Sequence, residues 1–118
     1  MDATEVPVLI GNLADPDRVI AAIEAECAAH GLLLRNRSGL AKYRGCTHWH
    51  YGLPNRHGTL ELTFWPKESR CWASVRENRS ADWIPPMLGS LCPSIERACR
   101  GAEPSESKNV GASVGCAQ

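Results

Sequence analysis

Three segments in the middle of the chain, residues 46–53, 59–65 and 70–77, alternate apolar with polar side chains or carry β-forming residues. The runs between them, 54–58 and 66–69, carry the Pro, Asn, Gly and Ser residues that favour turns. Successive side chains of a strand point to opposite faces, so a hairpin register must keep the apolar ones together. One register does so across both hairpins. It sets Tyr51 opposite Leu60, Trp49 opposite Leu62 and Thr47 opposite Phe64. It then sets Phe64 opposite Cys71, Leu62 opposite Ala73 and Leu60 opposite Val75. A slip of one residue in the first hairpin would place Trp49 and Tyr51 against Glu61 and the threonines. The expected meander therefore has one apolar face. Its other face carries Cys46, His48, His50, Glu61, Thr63, Trp65, Arg70, Trp72, Ser74 and Arg76.

Two helices flank the meander. Asp15-Pro16 reads as a helix start, an acidic cap followed by proline at the first helical position. Val19, Ile20, Ile23 and Cys27 recur at helical spacing and Gly31 reads as the stop. Asp17, Glu24 and Glu26 are expected on the solvated side, and His30 beside the helix C-terminus. The second helix is expected from about Asp82, with Pro85 and Pro86 in its first turn and Ile84, Met87, Leu88, Leu91 and Ile95 along one stripe. Pro93 is expected to bend or split it. Val6, Val8 and Ile10 alternate and suit a short N-terminal strand, residues 32–36 read as a strand, and 37–45 read as a loop around Ser38-Gly39. The 37–45 segment reads equally as an irregular sheet edge. The expected class is α+β, in α-β-β-β-β-α order, an antiparallel sheet of about four strands with both helices on one face. Residues 1–100 read as a single domain and 101–118, rich in Gly, Ala, Ser and Glu, as a disordered tail.

Formal net charge is zero, but the charges are unevenly placed. Residues 1–34 hold six acids and one base, whereas residues 35–79 hold nine bases and three acids. A neutral total argues against a general polyanion binder, and the basic middle coincides with the polar sheet face. No apolar run approaches the roughly 20 residues of a membrane span. The N-terminus has no basic region followed by an apolar stretch, so a cytoplasmic protein with mostly reduced thiols is expected. The six cysteines contain no C-x-x-C pair, and Cys27, Cys71 and Cys92 read as core residues.

His48-Trp49-His50 is the sharpest chemical feature. An H-x-H pair on a strand aims both imidazoles one way, and the register sets Glu61 opposite His50. Two histidines and a carboxylate make a metal ligand set, so His48, His50 and Glu61 are the candidate metal ligands, with His57 in the following turn within reach of the same end. The competing reading is a hydrogen-bonded cross-strand pair on a wet surface. Cys46 beside His48 is a conceivable nucleophile, but nothing in the sequence marks an oxyanion hole, and no catalytic residue is assigned. Arg70 and Arg76 beside Trp65 and Trp72 suit a homodimer interface or the stacking of single-stranded nucleic acid. Arg35–Arg37 and the Arg76–Arg79 run, taken by themselves, read as solvated charge.

The stretches Gly45 to His50 (GCTHWH), Gly58 to Pro66 (GTLELTFWP), Cys71 to Val75 (CWASV) and Asn78 to Trp83 (NRSADW) resemble those of small uncharacterised bacterial proteins. The Gly/Ala/Ser tail is similar to that of proteins encoded by mobile gene cassettes. The resemblance implies no activity and no site residue. The expected function is non-enzymatic binding or self-association, as a homodimer, through the surface formed by His48, His50, Glu61, Thr63, Trp65, Arg70, Trp72 and Arg76. The alternatives are a metal-dependent hydrolase at His48, His50 and Glu61, and single-stranded nucleic-acid binding. No other cofactor is implied.

Overall fold

The computed structural model describes residues 3–11 and 15–101. Five strands and two helices follow in the order β1 (Ala3–Pro7), α1 (Pro16–Ala29), β2 (Leu33–Leu40), β3 (Tyr43–Gly52), β4 (Leu60–Trp65), β5 (Arg70–Arg76) and α2 (Ile84–Gly101). Single 3-10 turns, Pro66–Glu68 and Glu77–Arg79, follow β4 and β5. All pairings are antiparallel and the strand order is β1-β5-β4-β3-β2. The class is α+β as expected. The fifth strand is β1, which pairs with β5 at the far edge, Val6 opposite Ala73. The expected tail, 101–118, lies outside the described residues beyond Gly101.

The meander has the register that the apolar pattern requires. Thr47 faces Phe64, Trp49 faces Leu62, His50 faces Glu61, Tyr51 faces Leu60, Leu62 faces Ala73 and Phe64 faces Cys71. Trp49, Tyr51, Leu60, Leu62, Phe64, Ala73 and Val75 are all buried, in one core cluster with the stripes of both helices. Val19, Ile23 and Cys27 of α1 and Ile84, Leu91, Cys92, Ile95 and Cys99 of α2 supply those stripes. The Asp15 carboxylate accepts from the Asp17 amide at 3.0 Å, and Gly31 takes a left-handed φ of +80° where α1 ends. His30 caps the helix; its Nδ1 lies 2.8 Å from the Glu26 carbonyl and its Nε2 3.2 Å from Ser90 Oγ on α2.

Four local expectations differ from the structure. Of the two readings of residues 37–45, the irregular edge is the one observed and the loop is not: β2, an edge strand, runs to Leu40, and β3 begins at Tyr43 after a two-residue turn. Irregularities between Leu34 and Asn36 and between Ser38 and Leu40 absorb the residues that read as turn formers. This edge strand is exposed almost throughout, so no apolar alternation marks it. Pro93 does not divide α2, although the amide it lacks leaves the Gly89 carbonyl without its usual intrahelical donor. Glu24 is not simply solvated. It accepts from Trp49 Nε1 at 2.8 Å and pairs with Arg37 at 2.9 Å. Trp83, absent from the expected stripe, is buried and donates to the His57 carbonyl at 2.8 Å, tying the 53–59 turn to the start of α2. Gly58 sits beneath it at φ +108°, where an added Cβ would come within 2.6 Å of Ala81 Cβ.

Candidate metal centre

The face of the sheet away from the helices is the one that carries the histidines. Register alone aligns two rows across it. One runs Glu5, Ser74, Glu61, His50 and Asn36; the next runs Pro7, Trp72, Thr63, His48 and Ser38. His48, Glu61, Thr63, Trp72 and Ser74 are buried even though no helix covers them. Side chains of the same chain lie over this face instead, and they divide it into an aromatic end and a titratable end.

Tyr43 makes the aromatic end. Strict alternation from Thr47 would send Tyr43 to the helix side, but Gly45 at φ +84° breaks the alternation. The Tyr43 ring meets both Trp65 and Trp72 edge-on, with centroids 5.0 Å apart in each pair. Trp65 Nε1 donates to the Arg44 carbonyl at 3.0 Å, and the Arg70 guanidinium carbon lies 4.7 Å from the Trp72 ring centroid. Trp72 is therefore covered within the chain, while Trp65 stays half-buried. Cys46, on the same face, accepts from the Leu40 amide through Sγ at 3.3 Å.

The titratable end converges on one carboxylate oxygen. His48 Nε2 lies 3.2 Å from Glu61 Oε1, His50 Nε2 lies 3.8 Å from the same oxygen, and the two Nε2 atoms are 3.2 Å apart. The other oxygen, Oε2, faces Arg76 Nε at 3.3 Å and Arg79 Nη1 at 3.6 Å. His48 Nδ1 lies 2.8 Å from Thr63 Oγ1. When that nitrogen carries the proton and donates to Thr63, the Nε2 lone pair is turned toward His50 and Glu61. Burial lowers the pKa of His48, against the opposing pull of the Glu61 charge, so the imidazole is held neutral. A neutral imidazole with its second nitrogen anchored is the form in which histidine binds a metal.

Among the described residues, His48, His50 and Glu61 are the group of three whose ligand atoms gather closely enough to hold one ion. His57 does not join them; it contributes its carbonyl to Trp83. Arg79 was not legible as part of this site. It comes from the 3-10 turn after β5, and only the direction of that turn brings its guanidinium back to Glu61. Solvent reaches the cluster from the side of His50, Arg76 and Arg79, whose side chains are 26%, 61% and 43% exposed.

No protein-family model, curated protein or solved structure matches this chain. Function therefore rests on the geometry of this face. Among the described residues no helix is long and apolar enough to cross a membrane.

Proposed function

We propose that this chain is a metalloprotein in which His48, His50 and Glu61 hold one divalent transition metal on the face of the sheet away from the helices. The observation that carries this reading is the triangle formed by the two Nε2 atoms and Oε1, with sides of 3.2, 3.2 and 3.8 Å. A tetrahedral zinc with bonds of about 2.0–2.1 Å separates neighbouring ligand atoms by about 3.3 Å. The three atoms would thus need little movement to share an ion. The outer partners support the same reading, because Thr63 orients His48 while Arg76 and Arg79 hold the far oxygen of Glu61.

Three protein ligands with a position left open is the pattern of catalytic rather than structural zinc. Such an ion lowers the pKa of a bound water and polarises a carbonyl or phosphoryl oxygen, so metal-assisted hydrolysis is the reaction class this centre suits. The competing use of the same distances is a metal-free hydrogen-bond network. Calorimetric melting separates the two. After treatment with chelator, addition of zinc or nickel at about 100 times the Kd is expected to stabilise the fold by about 2.7 kcal/mol. That corresponds to a rise in Tm of about 10 °C or more for a domain of this size. His50→Ala is expected to abolish the rise. An unchanged melting curve at saturating metal rejects the centre.

Self-association through the aromatic end of the same face is a second reading. It is favoured by half-buried Trp65, with the guanidinium of Arg70 stacked on the neighbouring Trp72. Sedimentation of the wild type is expected to give the mass of a dimer, and Trp65→Glu that of a single chain. A wild type that sediments as a single chain at tens of micromolar rejects this reading.

A further inference from the structure

We infer that the ligand of this centre is a phosphoryl dianion, either free phosphate or the phosphate group of a monoester, bound jointly by the metal and by the guanidinium groups of Arg76 and Arg79. The inference rests on the metal reading and names the class of molecule that would occupy the open position. It begins from charge. A divalent ion and two guanidinium groups gather around the single carboxylate of Glu61, leaving a net charge of about +3 on the cluster. Among the described strand residues, Glu5 is the other acid that the register puts on this face, two strands away, beyond Ser74. A dianion compensates such a cluster better than a carboxylate or a neutral group.

Donor geometry agrees. Arg76 meets Glu61 through Nε at 3.3 Å and Arg79 through Nη1 at 3.6 Å, both at the same oxygen. Each guanidinium carries five N–H donors, more than a single carboxylate oxygen can accept, so each has donors to offer a second anion. Both side chains are largely exposed, and they flank the side from which solvent reaches His50. Guanidinium groups match the oxygens of a phosphoryl group through paired N–H donors, whereas lysine offers only a point charge. A tetrahedral dianion has enough oxygens to give one to the metal and others to the two arginines at once. Arg76 and Arg79 thus act twice, positioning Glu61 through one edge and receiving the ligand through the other.

The test uses the full chain loaded with cobalt(II), whose visible spectrum reports the coordination of the ion. Inorganic phosphate and phenylphosphonate serve as probes, the second standing in for a monoester that cannot be hydrolysed. The expected result is a saturable spectral change with at least one of the two, and the tighter binder tells whether the free ion or the ester group is preferred. Arg79→Gln and Arg76→Gln are each expected to weaken that binding about tenfold, the loss of one charge-assisted contact. Because both arginines also hold Glu61, cobalt affinity is measured separately for each variant and probe binding is compared at saturating cobalt, so that loss of metal is not read as loss of the ligand. Arg79→Lys should recover only part of the loss. Cobalt binding without any response to either probe overturns the inference and leaves the metal centre standing. So does equal binding of the probes by the Arg76→Gln/Arg79→Gln double variant, or binding of benzoate as tight as that of phenylphosphonate. Failure of cobalt to bind the wild type overturns the inference and the metal centre together.

Discussion

Trp49→Ala is expected to lower the free energy of unfolding by about 3–5 kcal/mol, measured by urea denaturation. Trp49 is fully buried at the centre of β3, between Leu62 on β4 and the inner face of α1. Its removal opens a cavity the size of an indole under a helix that cannot collapse far, because α1 also packs on α2. It also strips Glu24 of the Nε1 donor at 2.8 Å, leaving the Arg37 pair as that carboxylate's main partner. Trp49→Phe separates the two effects. It keeps most of the volume and loses the hydrogen bond, and is expected to cost about 1–2 kcal/mol. A cost for Trp49→Ala below about 1 kcal/mol would show that this side chain is not in the core, and the register of the meander would fall with it.

Alkaline pH should destabilise the protein steeply, because several core thiols must stay protonated for it to fold. Burial pushes the pKa of Cys27 up to about 12 and that of Cys92 up to about 11, from an ordinary value near 9. Burial also raises Cys71 strongly, and Tyr51, whose hydroxyl is hydrogen-bonded to the Cys27 thiol, is raised in the same way. An acid whose pKa is raised by folding keeps its proton longer in the native state than in the unfolded one. Stability from these groups is therefore complete below about pH 9 and is lost above it, as the unfolded chain releases protons that the folded chain retains. Each thiol contributes a slope approaching about 1.4 kcal/mol per pH unit, so the three together approach about 4 kcal/mol per unit between their unfolded and folded values. Urea titrations at pH 8, 9, 10 and 10.5 measure this directly. A free energy of unfolding that is flat over that range would contradict the burial of the thiols. Cys27→Ala should lower stability at pH 8 through its cavity but make the alkaline decline shallower.

What could be read from the sequence depended on how much of each strand is buried. β4 and β5 are buried on both faces over most of their length, and β3 from Cys46 onward nearly so. Any slip there would bury charge or expose an aromatic ring, so the apolar pattern defines the register and brings His48, His50 and Glu61 together. β2 has no such constraint. Its side chains face solvent and its backbone hydrogen bonds come from β3, so composition could not separate a loop from an irregular edge beyond Asn36. The reversal at Gly45 was equally hidden, since a glycine within a polar run does not show whether it turns the chain or flips a face; the cover that Tyr43 gives Trp72 follows from that flip. Glu24 and Arg79 reach their partners only through the packing of one element on another. Their local sequence, charged residues on a helix and in a turn, is what solvated residues also look like.

The two-residue period of the strands has a consequence for how this chain can change. Within the paired stretches of β3, β4 and β5, core positions and site positions interleave one by one, and their side chains lie on opposite faces. Substitution within one set leaves the packing of the other largely intact while the register holds. His48, His50, Arg76, Trp65 and Trp72 can thus drift toward a different ligand without repacking the helices, and the helices can be repacked without disturbing the site. A single insertion in β4 would do the reverse, exchanging the two faces and destroying core and site in one step.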